Sequence, residues 1–90
     1  MTRKEITDML RRVAEECSER GPGYAQQSVA VREAAKRLDI GSDLATQQEL
    51  LTCWHELFRS GVLAWGYDLD NPGPPWFHFA EETMVGNKAQ

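Results

Sequence analysis

Chemistry in this chain would have to come from His55, His78, Cys17, Cys53 and a row of polar side chains at Gln48, Thr52, His55 and Arg59. The histidines and cysteines do not combine into a site. Neither histidine is tied to an acid or nucleophile by a recognisable spacing, and the two cysteines lack the paired spacing of a zinc centre. Cys53 and His55 lie two apart within a helical pattern and so point to different sides. Gly61 and Gly66 read as a helix stop and a strand residue, not as a loop that cradles phosphate. The expectation is a protein that is not an enzyme and that carries no metal and no cofactor.

The polar row is more informative. Gln48, Thr52, His55 and Arg59 recur at helical spacing, which gathers an amide, a hydroxyl, an imidazole and a guanidinium on one side of a helix. Such a row suits the recognition of a partner, and it is equally what the wet side of an amphipathic helix looks like. Glu49 and Glu56 flank it and would repel phosphates. Arg32 and Lys36 are one turn apart and could grip neighbouring phosphates, while Glu33 and Arg37 at the same separation read as an ordinary surface ion pair.

Charge and length bound the possibilities. Ninety residues allow one domain with a modest core, and the formal charge of −4 is not the basic footprint that tight nucleic-acid binding usually leaves. From Ser28 to Gly61 the basic residues Arg32, Lys36, Arg37 and Arg59 face the acidic Glu33, Asp39, Asp43, Glu49 and Glu56. No run approaches the roughly 20 apolar residues of a membrane span, and the start leads into an amphipathic helix rather than an apolar signal region. The expected compartment is the cytoplasm, with Cys17 and Cys53 as reduced core residues.

The elements that must position the polar row follow from periodicity. Thr2 and Glu5 form a capping box ahead of Ile6, Met9, Leu10, Val13 and Cys17, which predicts a helix over 3–20 supported by Asp8–Arg12 and Glu16–Arg20 pairs. Gly21-Pro22-Gly23 breaks it. Residues 24–27 have no period long enough to assign and could hold a very short extended piece. Ser28 is the expected cap of a second helix with Val31, Ala34, Ala35 and Leu38 on one face, ended by Gly41.

A second capping box, Thr46 with Glu49, predicts the start of a third helix that Gly61 closes. Leu50, Leu51, Trp54, Leu57 and Phe58 form its apolar face. Leu63, Trp65 and Tyr67 then alternate as a strand, 68–75 supplies turn formers, and Phe77 and Phe79 alternate in a returning strand.

The order helix, helix, helix, strand, strand resembles the winged helix-turn-helix superfamily. The likeness is carried by Ala34-Ala35-Lys36-Arg37-Leu38, by Leu57-Phe58-Arg59-Ser60-Gly61-Val62-Leu63 and by Phe77-His78-Phe79-Ala80-Glu81-Glu82. The last two look like the helix-to-wing junction and wing exit of multiple-antibiotic-resistance-type bacterial regulators. The resemblance implies an α+β, mainly α fold over 1–82 with a two-stranded hairpin wing. From Ala80 onward the chain has too few anchors to assign an element, and 83–90 is expected to be a flexible tail or the stub of a further helix. The resemblance also implies that the third helix enters a major groove. Gln48, Thr52, His55 and Arg59 would then read bases, with Arg32, Lys36 and Arg37 as phosphate clamps.

The wing departs from that pattern, because it carries Asp68 and Asp70 where DNA-binding members commonly carry arginine or lysine. Two expectations follow. The first is a dimeric regulator of transcription that binds double-stranded DNA. The second is an adaptor of the same fold that meets a protein partner or a second copy through Trp65, Tyr67 and Trp76 of the hairpin and the acidic surface.

Overall fold

The computed structural model describes residues 1–80, so the tail expected over 83–90 lies outside the described residues. The fold is α+β and mainly helical: α1 (Arg3–Arg20), β1 (Tyr24–Gln26), α2 (Gln27–Arg37), α3 (Leu44–Arg59), β2 (Leu63–Trp65) and β3 (Trp76–Phe79). Three antiparallel strands in the order β1-β3-β2 replace the expected two. β1 was illegible because three residues carry no period. Its partner lies 50 to 54 residues away, in the register Tyr24↔His78 and Gln26↔Trp76.

The first helix begins as its sequence implies. The Glu5 amide donates to Thr2 Oγ1 at 3.2 Å while the Thr2 amide donates to Glu5 Oε1 at 2.7 Å. Ile6, Leu10, Val13, Ala14 and Cys17 are buried. The expected ion pairs are replaced by others. Glu16 accepts two hydrogen bonds from Arg37 of α2, at 2.6 and 3.3 Å, and Asp8 pairs with Lys4. The fork of Arg37 thereby ties α1 to α2 by two hydrogen bonds to one carboxylate.

Two helix starts also differ from expectation. Helix α2 begins one residue before Ser28, whose hydroxyl donates to Gln26 Oε1 at 2.8 Å instead of capping. Gln26 at the N-cap makes no side-chain cap bond, and the Gln27 amide donates to the Pro75 carbonyl at 2.8 Å. The end of the hairpin loop thus satisfies one of the donors that a helix start leaves open. Helix α2 ends at Arg37, before Gly41, because Asp39 already takes a positive φ of 56°, a conformation that aspartate tolerates better than most residues.

Helix α3 begins at Leu44, with the Asp43 carboxylate accepting from the Thr46 amide at 3.0 Å and also from the Thr46 hydroxyl. Asp43 therefore displaces the Thr46–Glu49 box, and Glu49 turns to Arg3 of α1. At the other end the Val62 amide donates to the Leu57 carbonyl at 2.9 Å and the Gly61 amide to Phe58 at 3.2 Å. This is a Schellman closure, and it depends on Gly61 at φ 87°.

The core is centred on Trp54, which is fully buried and packs edge-on against Phe77 (5.1 Å) and Phe58 (5.3 Å). Its indole N–H donates to Gln27 Oε1 at 2.9 Å, so the largest buried side chain leaves no polar atom unmatched. Cys17 and Cys53 are both buried with free thiols. Leu51 corrects the expected apolar face of α3: Leu50, Cys53, Trp54 and Leu57 are buried, and Leu51 remains 40 % exposed.

Candidate nucleic-acid interface

The outward side of α3 forms a continuous stripe of exposed residues: Leu44, Gln48, Leu51, Thr52, His55 and Arg59. Their spacing is that of one helical face. The four polar residues of the sequence reading are brought together here, and two leucines join them. Thr52 donates its hydroxyl proton to the Gln48 carbonyl at 2.9 Å. With that proton committed to the helix, the side chain's remaining assets are its methyl group and an acceptor oxygen.

No carboxylate lies in the stripe. Glu49 is turned onto Arg3 of α1, whose guanidinium is held still more firmly protonated by that hydrogen bond and charge. Glu56 lies at 3.1 Å from Arg59, so it neutralises one end of the row without standing in it. The repulsive flank legible in the sequence is thus drawn off to the sides by arginines, one from another helix. These are exposed pairs that contribute roughly 0–1 kcal/mol each to stability, so their main effect is on the charge that the stripe presents.

Arg32 and Lys36 are exposed one turn apart on α2, and among the described residues neither has a carboxylate partner within ion-pair distance. Arg37, expected as a third clamp, differs. Its guanidinium is held by Glu16 at 2.6 Å and Glu33 at 2.9 Å, which raise its pKa further and hold the Glu16 carboxyl below its ordinary value. An arginine with both faces of its fork occupied clasps α1 to α2 and is a poor second hand for a phosphate.

Between α2 and α3 runs an open groove of about 600 Å³, floored by Val31, Ala35 and Leu51 and edged by Arg32, Gln47 and His55. Arg32 and His55 thereby stand on opposite sides of one depression. Gln47 is fixed by donating to the Gly41 carbonyl at 2.8 Å.

The hairpin is built differently. Its outer surface carries Tyr24, Tyr67 and Trp76, with the tyrosine rings stacked at 4.0 Å and Trp76 edge-on to both at 5.8 and 5.4 Å. Trp65 stacks on Phe58 of α3 at 4.0 Å. All three hairpin aromatics of the expected protein interface are half-buried among their own neighbours. Tyr24, hidden in the unassigned segment, is what completes the outer cluster. Its neighbour Tyr67 has its phenol pKa raised, chiefly by burial and secondarily by the Asp68 charge.

At the tip, Asp68 Oδ1 accepts from the Asp70 amide (3.0 Å), the Asn71 amide (2.7 Å) and the Asn71 side chain (3.0 Å). Asp68 therefore builds the turn, which is the local role aspartate favours. Leu69 projects from that turn at 97 % exposure, beside the exposed Asp70. His78, half-buried in β3, has Nδ1 2.6 Å from the Gly66 carbonyl.

Among the described residues no group of three or more histidine, cysteine, aspartate or glutamate side chains could hold a metal ion, and no helix is long and apolar enough to cross a membrane. Comparison of the chain with protein-family models, with curated proteins and with solved structures finds no match.

Proposed function

We propose that this is a winged helix-turn-helix protein of the cytoplasm that binds double-stranded DNA through α3 and regulates transcription. One observation carries the reading: the exposed stripe of α3 is free of carboxylates, and its Leu51 and His55 border a groove whose other side is α2, where Arg32 and Lys36 have no carboxylate partner among the described residues. Gln48 matches the adenine edge, Arg59 the guanine edge, and the Thr52 methyl the thymine methyl. Arg32 and Lys36 act on phosphates. The sheet order β1-β3-β2 and the hairpin that follows α3 are compatible with a wing. Two cations per copy give weak binding, so two copies on one duplex supply the affinity.

The test is fluorescence anisotropy with a mixed-sequence duplex over a salt series, followed by selection from a random duplex library. Affinity should fall steeply with salt, and Arg32→Ala or Lys36→Ala should each flatten the log–log slope by about 1. Gln48→Ala should relax preference at one position of the selected site without changing that slope. Absence of binding at low salt together with no enriched sequence would sink the reading.

A further inference from the structure

We propose that, in the absence of DNA, two copies of this chain associate by seating the Leu69–Asp70 tip of one in the α2–α3 groove of the other. The association would cover the surface assigned above to DNA, so its regulatory meaning rests on that reading while the contact itself does not.

Two features of opposite character carry the inference. The tip is a rigid apolar knob with a charge beside it. Leu69 is 97 % exposed, its turn is fixed by three hydrogen bonds to Asp68 Oδ1, and the exposed Asp70 carboxylate accepts none of the hydrogen bonds that build that turn. A nearly bare leucine on an ordered turn is preorganised, so little conformational freedom remains to be lost on docking. The groove is the complement. Its floor is Val31, Ala35 and the 40 % exposed Leu51, its rim holds Arg32 without a carboxylate, and Lys36 follows one turn along. Its volume of about 600 Å³ lies within the range of sites that bury small ligands. Leucine meets leucine and valine, and Asp70 meets Arg32.

Charge selects this occupant over other parts of the same surface. The chain is acidic as a whole, at −4, so most surfaces of two copies repel one another. Tip against groove is one pairing in which an exposed carboxylate meets cations that have no carboxylate partner among the described residues, over apolar contact. Every copy carries both halves. A two-fold pair would use the contact twice, whereas an open arrangement would propagate.

The experiment is sedimentation equilibrium of the full chain over a concentration series, without DNA and at low salt, with circular dichroism to verify folding of each variant. The expected result is reversible association that weakens as salt rises. Leu69→Ser should weaken it by about tenfold or more, given the apolar area lost from contact. Asp70→Lys and Arg32→Glu should each abolish it, and the double variant carrying both should restore it, because the swap rebuilds the pair with its polarity reversed. Under the DNA reading the duplex competes with this contact for the groove, so Leu69→Ser should bind duplex more tightly than the wild type. A monomer at every concentration would overturn the proposal, as would association that is indifferent to Leu69→Ser or unrestored by the swap. Intact self-association in a protein that binds no duplex would leave this contact standing and remove only the DNA reading.

Discussion

The α2–α3 face and the hairpin handle their carboxylates in opposite ways. On the helical face, Glu49 is bonded to Arg3 of α1 and Glu33 to Arg37 within α2, so neither carboxylate stands in the exposed stripe, and among the described residues Arg32 and Lys36 have no carboxylate partner. On the hairpin, Asp68 is consumed by its own turn and Asp70 is left outward, so negative charge accumulates at the tip. One region presents cations and the other a carboxylate. The comparison teaches that net charge does not say what a given surface presents, because that depends on which partner each carboxylate finds.

The comparison can be broken most severely at Trp54, which both regions share. Trp54→Ala should cost about 3–5 kcal/mol and lower the midpoint of chemical denaturation, because it removes the ring between Phe58 and Phe77 and orphans the Gln27 acceptor. A loss below about 1 kcal/mol would mean that the two regions do not share one core.

A more selective break is Gly66→Ala. Gly66 sits at φ 92°, and an added Cβ would intrude on the Pro72 backbone, so positive-φ strain and overlap together should cost roughly 2–4 kcal/mol. The damage should be concentrated in the hairpin, read as lost protection of the Tyr67 amide, which donates to the Asn71 carbonyl at 2.9 Å, while the α3 amides stay protected. Uniform loss of protection would deny the hairpin its independence.

The smallest effect sharpens the helical side. Asp43→Ala should cost about 0.5–2 kcal/mol by removing the α3 cap. The pH dependence has the same origin. The Asp43 carboxyl is held below its ordinary value by the Thr46 hydroxyl and amide, and Glu16 is held down first by its hydrogen bond to Arg37. A carboxyl depressed in the folded state stabilises it above the unfolded pKa, and that contribution is lost as pH falls through the folded value. Thermal midpoints of the wild type should therefore decline below about pH 4, and Asp43→Ala should show a shallower decline. Parallel declines in the two proteins would assign the acid sensitivity elsewhere.

Most of the helical scaffold was legible because long amphipathic periods survive context. The face of α1, the Gly61 closure and the row Gln48, Thr52, His55 and Arg59 all rest on spacing alone. What was illegible depended on distant partners. β1 exists because β3 pairs with it, α2 starts where the Pro75 carbonyl meets it, and Glu49 could serve as a box residue or as the mate of Arg3. Asp43 was a local signal outweighed by the more conspicuous Thr46–Glu49 pattern. Leu51 sits at the margin of the apolar arc, where one helical position separates core from surface. In the candidate site, residue types were readable and charge pairing was not.

The joint at Gln27 has a consequence for anyone who would rebuild this protein. Its amide is bound to Pro75, where the hairpin loop returns into β3, and its side chain is bound to Trp54 at the centre of α3. The hairpin is therefore no interchangeable cassette. A loop transplanted between Trp65 and Trp76 must deliver a carbonyl to the same point, or the second helix loses its first fastening and the buried tryptophan loses the side chain that answers it. Grafts that keep 74–76 and vary 68–71 respect that constraint, which divides the hairpin into a replaceable crown and a root that belongs to the helices.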